Sequence, residues 1–134
     1  MRENLVAYFA ALLVMAGMDF AWFMLAGDAV YQRNLTAILA EKVNYPAAVS
    51  FYVLYAAGVV IFAIKPGLDS GDWRTAVMRG ALFGFFAYAT YDLTNLATLK
   101  SWSLKVSLID MAWGVFVTST VAGASAAVTL ALEK

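Results

Sequence analysis

Four apolar runs of membrane-spanning length fill nearly all of this 134-residue chain, and they decide what it can fold into. A helix needs about 20 mostly apolar residues to cross the hydrocarbon core of a bilayer. Residues 5–27 form the first run, broken only by Asp19. Residues 46–65 form the second, which ends in the stop signal Lys65-Pro66-Gly67. Residues 76–99 form the third, with Arg79 near its start and Asp92 inside it. Residues 106–132 form the fourth, with Asp110 near its start. The expected fold is all-α, an integral membrane bundle of four transmembrane helices making one domain over residues 1–134.

Composition agrees with lipid as the solvent. The chain is 63% hydrophobic and 13% charged, whereas soluble domains carry roughly 45–50% apolar and about 25% charged residues. Nine basic and nine acidic residues cancel, which removes any electrostatic basis for a nucleic-acid partner. Cysteine and histidine are both absent. That excludes disulfides, thiolate chemistry, histidine general bases, histidine-ligated haem and nearly all zinc sites. No metal and no cofactor is expected. A retinal protein is also disfavoured, because no lysine lies deep in any run.

The first run could be read as a signal peptide, but it exceeds the usual 7–15-residue apolar region, and Asp19 would sit badly in one. The connections differ in kind. Residues 28–45 are long enough for structure of their own. Leu35, Ile38, Leu39 and Val43 fall at helical spacing among Arg33, Glu41 and Lys42, the pattern of a short amphipathic helix on the membrane interface between spans one and two. Residues 68–75 form a polar turn. Residues 100–105 form a tight one, with Trp102 suited to the headgroup belt. Arg2, Lys65, Arg74, Arg79 and Lys134 fall on one side of the membrane, and Arg33, Lys42, Lys100 and Lys105 on the other. The positive-inside rule therefore places both termini in the cytoplasm, by the margin of one charge.

Aspartates inside spans cost at least about 2.5–3.5 kcal/mol each on insertion scales. Asp19, Asp92 and Asp110 all fall in the bilayer half that faces residues 28–45. Asp19 and Trp22, Asp92 and Asn95, and Asp110 and Trp113 are each i,i+3 pairs, so each shares one helical face. Tyr88 sits at i,i+4 to Asp92, and Tyr52 and Tyr55 open span two in the same half. The candidate ligand-binding residues are Asp19, Trp22, Tyr52, Tyr55, Tyr91, Asp92, Asn95, Asp110 and Trp113. The competing structural reading makes each aspartate an acceptor that locks helices together. Three bare anions in one low-dielectric space cannot all stay ionised unless Arg33, Lys105 or a bound cation compensates. Ser119, Gly123 and Ala127 form a small-residue ridge suited to close contact within the bundle, with a homodimer partner or with another membrane protein; Gly80 and Gly84 form a similar one.

The run Tyr91-Asp92-Leu93-Thr94-Asn95-Leu96-Ala97-Thr98-Leu99-Lys100, then Trp102-Ser103, then Asp110-Met111-Ala112-Trp113-Gly114, resembles the hallmark of the DUF2177 family of bacterial membrane proteins. The resemblance extends to Asp19-Phe20-Ala21-Trp22 and so to essentially the whole chain. It implies a small, multi-pass protein of the bacterial inner membrane. It implies no activity and assigns no catalytic residue.

Three functions compete. Carboxylates at membrane depth beside aromatic rings suit binding or transport of a small cation, protons included. Asp92 with Asp110 could instead act as an acid/base pair on a lipid or isoprenoid. An accessory or assembly subunit of a larger membrane complex would use the same layer structurally. The first is the expectation adopted from the sequence.

Overall fold

A computed structural model describes residues 1–134. The chain is entirely helical, with four long helices: α1 (Arg2–Leu35), α2 (Tyr45–Ser70), α3 (Trp73–Thr98) and α4 (Leu104–Leu132). Three of them, α1, α2 and α4, are long and apolar enough to cross a membrane, with mean hydropathies of 1.9, 2.2 and 1.8.

Local chemistry sets the helix boundaries. The Asn44 side chain accepts from the Ala47 N–H at 3.2 Å to start α2, and Pro46 occupies its first turn. Asp72 caps α3 through the Arg74 N–H at 2.9 Å, and Ser103 caps α4 through the Val106 N–H at 3.2 Å. Gly71 ends α2 in the left-handed conformation, with φ of 69°, where a side chain would be strained. That turn brings α3 back against α2 so closely that a Cβ on Gly67 would lie 2.8 Å from the Ala76 Cβ.

Two expectations meet a different outcome. Gly27-Asp28 does not end the first helix. The chain continues through a π-helical stretch, Gly27–Gln32, into a last turn at Arg33–Leu35. Thr36 to Asn44 then carries no helix, so the expected separate amphipathic helix is not formed there. Leu35 is instead buried at the end of α1, while Ile38, Leu39 and Val43 are exposed. Likewise Lys65-Pro66-Gly67 does not stop α2, which runs on to Ser70. A second π-helical stretch, Val60–Ile64, ends two residues before Pro66. A π turn is the wider coil, and it falls where the ring would otherwise clash with the carbonyl four residues back.

The α3–α4 pair is the most intimate. A Cβ on Gly80 would lie 2.8 Å from the Thr118 carbonyl oxygen, and one on Gly84 only 2.4 Å from that of Gly114. Gly123, the centre of the Ser119–Gly123–Ala127 ridge, is occupied within the bundle by the Val77 side chain of α3. Backbones can approach this closely only where the side chain is a hydrogen atom.

The bundle is inside-out relative to a water-soluble protein. Its buried residues include Asp19, Asp92, Ser107, Asp110, Thr118, Ser125 and Thr129, alongside many alanines and valines. Its outer surface carries Leu13, Phe20, Leu25, Leu54, Phe62, Met78, Leu82, Phe86 and Phe116. Large apolar side chains on every face call for lipid outside. Along the bundle the interior divides. Toward the termini Ala7, Ala11, Met15, Val59, Ala63, Ile64, Val117 and Val121 form a half without buried charge, whose polar groups are the hydroxyls of Thr118, Ser125 and Thr129. The aspartates occupy the other half.

Candidate functional site

Helical spacing brings the acids of three helices to one level. Asp19 comes from α1, Asp92 from α3 and Asp110 from α4, all of them buried. Their surroundings are not alike.

Asp19 is fully partnered. Its carboxylate accepts from the Tyr52 hydroxyl of α2 at 2.7 Å and from the Trp113 indole N–H of α4 at 3.1 Å. One side chain of α1 thereby ties α2 and α4 together. Asp110 accepts from the Tyr31 hydroxyl at 2.7 Å, and that hydroxyl in turn accepts from the Trp22 indole N–H at 2.9 Å. Trp22 and Trp113 lie between the two acids as a parallel stack.

Asp92 is different. It is wholly buried, and neither carboxyl oxygen has a hydrogen-bond donor among the other residues. Its carboxyl lies within interacting range of that of Asp110. No cation balances the group: Arg33 and Lys105 are exposed, and the molecule's one ion pair joins Lys65 to Asp69 at the opposite end. A carboxylate buried without donors is costly. Two that face one another can be held together by a single proton, donated by one and accepted by the other. No three acidic side chains converge as ligands for a metal ion.

The other residues singled out from sequence divide by position. Tyr52, Trp22 and Trp113 touch the acids directly or through Tyr31. Tyr55 sits one turn further in, sharing a 2.7 Å hydrogen bond with Thr118 and stacking on Phe83. Tyr88 presses its ring against Gly114, where an added Cβ would fall 2.1 Å from the ring carbon Cγ. Tyr91 turns outward, mostly exposed, and packs edge-on against Trp102. Asn95 is half-buried one turn beyond Asp92. Trp102 donates to the Ser107 hydroxyl at 2.9 Å, which fastens the α3–α4 turn beneath the acid pair.

Tyr31 is the member of the polar cluster that the sequence reading missed. It lies in the stretch read as a connection, and the π-helical turn of Gly27–Gln32 is what carries it over the acids. The available signal was the missing stop: nothing between Gly27 and Leu35 is a proline, and apolar residues continue on the face of Trp22.

Comparison with known proteins agrees with the architecture. The family model described as "Predicted membrane protein (DUF2177)" matches residues 4–127, and the chain belongs to that family. No curated protein and no solved structure matches the chain.

Proposed function

We propose that this member of the DUF2177 family is a multi-pass protein of the bacterial inner membrane that binds a small cation, the proton, at the Asp92–Asp110 pair. All four helices cross the membrane in this reading, with both termini in the cytoplasm. The third helix, α3, falls short on hydropathy because it carries Arg74, Arg79, Asp92 and Asn95. Its outer face nevertheless bears Met78, Leu82, Phe85 and Phe86, a lipid-facing band like those of its neighbours.

The observation that carries the reading is the Asp92 carboxyl, buried, without a donor and within interacting range of a second carboxyl. An ionisable residue inside a membrane marks an ion or proton pathway by default. The proton is favoured over a larger cation because the space beside the acids is filled by the stacked indoles of Trp22 and Trp113, and no metal-ligand set converges there. Asp19 forms a second acid centre, already satisfied by hydrogen bonds. Tyr52 and Trp113 are its donors, while Tyr31, backed by Trp22, serves Asp110.

Infrared difference spectroscopy of the reconstituted protein tests the assignment. At neutral pH a protonated-carboxyl band is expected in the parent and is lost in both Asp92→Asn and Asp110→Asn. Three ionised carboxylates at neutral pH would overturn the proposal.

A further inference from the structure

Away from the acids, at the terminal end of the bundle, Arg79 lines a groove of about 270 Å³ together with Phe62, Leu82 and Phe83. The groove runs between α2 and α3, on the outside of the molecule. Arg79 is exposed there and forms no ion pair. It lies about 10 Å along α3 from the Asp72 cap, at 1.5 Å per residue, so its guanidinium starts below the membrane surface and must reach back toward it. A guanidinium in that position offers a fixed fork of donors with nothing of its own chain to bind.

The apolar wall beside it is rigid. Phe62 and Phe83 stack with centroids 5.6 Å apart, and Tyr55 stacks on the other side of Phe83 at 5.4 Å. Gly58 admits the Phe83 ring, whose tip would lie 3.0 Å from a Cβ at that position. Phe62 and Leu82 remain mostly exposed. One cation thus heads an apolar channel that runs toward the membrane centre. Lys65, one turn beyond Phe62 on α2, is engaged by Asp69 at 3.4 Å, which leaves Arg79 as the cation of the groove.

We infer that this groove is a binding site for an anionic phospholipid, with the headgroup phosphate on Arg79 and an acyl chain along Phe62, Leu82 and Phe83. The site is separate from the carboxylate pair and independent of what that pair binds. It rests only on α2 and α3 lying in the membrane.

Native mass spectrometry of protein released from nanodiscs tests it. In discs of mixed phosphatidylglycerol and phosphatidylcholine, the parent is expected to retain one phosphatidylglycerol selectively, by roughly tenfold over phosphatidylcholine. Arg79→Gln removes that preference, Arg79→Lys keeps part of it, and Lys100→Gln, at the opposite end, leaves it unchanged. Phe62→Ala weakens retention without changing which headgroup is preferred. Equal retention of both lipids, or a preference that survives Arg79→Gln, would overturn the site. A Leu82→Cys protein labelled by a membrane-impermeant maleimide would instead overturn the placement of α3 in the membrane, a failure readable apart from lipid selectivity.

Discussion

Trp22 and Trp113 stack face to face, with ring centroids 4.5 Å apart and planes inclined by 7°, and their indole N–H groups serve different acids. Trp113 donates directly to Asp19; Trp22 donates to Tyr31, which donates to Asp110. The stack is therefore the joint between two carboxylate centres, and a change at one is felt at the other through a pair of rings that must move together.

Tyr31→Phe removes the hydroxyl that serves both Trp22 and Asp110. An indole N–H and a carboxyl oxygen lose their partners inside the bundle. Interhelical hydrogen bonds in membranes average about 0.6 kcal/mol, and unsatisfied buried groups cost about 1–3 kcal/mol. The expected loss is about 1–2 kcal/mol in reversible unfolding in detergent, with a blue shift of tryptophan emission. Unchanged stability and unchanged emission would show that Tyr31 does not hold the site.

Asp92→Asn and Asp19→Asn should move stability in different directions. An amide at position 92 can donate to Asp110 in place of the shared proton, so the variant should be at least as stable as the parent. An amide at position 19 has one acceptor oxygen for the two donors, Tyr52 and Trp113, and should lose about 1 kcal/mol. Thermal unfolding of the two variants side by side decides the matter. Equal destabilisation would show that an amide donor cannot replace the shared proton.

Gly114→Ala puts a methyl group into the face of Tyr88, at 2.1 Å, where neither the ring nor the α3 backbone can yield easily. Overpacking of this kind costs about 1–3 kcal/mol or more. Gly17→Ala, with nothing within 4 Å of the new Cβ, should be neutral or stabilising by a few tenths of a kcal/mol up to about 1 kcal/mol, from helix propensity. Midpoint temperatures in one detergent report both.

The parent has no cysteine, so single-cysteine variants start from a clean background. With α3 spanning the membrane, Phe86→Cys in sealed vesicles should resist an impermeant maleimide. Lys42→Cys and Asp69→Cys should be labelled from opposite sides. Labelling of both from the same side would reduce the number of crossings between them to an even one.

The carboxylate layer was legible from sequence because spacing and depth are both arithmetic along a helix. Asp19, Asp92 and Asp110 reach one level since α1 and α3 run one way and α4 runs back. What spacing could not supply was the difference between the acids: that Asp19 collects two donors while Asp92 collects none depends on which rotation each helix takes about its axis. Tyr31 was hidden for another reason. Gly27 and Asp28 have the composition of a helix end, but a π-helical turn passes through them, and the one opposing signal was the continued apolar pattern with no proline up to Leu35. Proline 66 misled in the same way, its stop signal absorbed by the π-helical turn before it. The Gly80/Gly84 and Gly123 positions were legible as contact surfaces, and the packing of α3 on α4 uses them within the chain.

The division of the interior into a half that carries the carboxyls and a half without buried charge also has an electrical meaning. In the proposed reading, a proton that reaches the acids from the side of residues 28–45 would meet Ala11, Met15, Val59 and Val121 beyond them, and would leave the way it came unless the helices rearrange. Such a charge traverses only part of the membrane field. Moving one elementary charge across the whole field is worth about 2.3 kcal/mol per 100 mV, so half the depth corresponds to about 1 kcal/mol. The occupancy of the acids would then follow the membrane voltage as well as the pH, and a blind well in the bilayer would read both halves of the proton-motive force at one place.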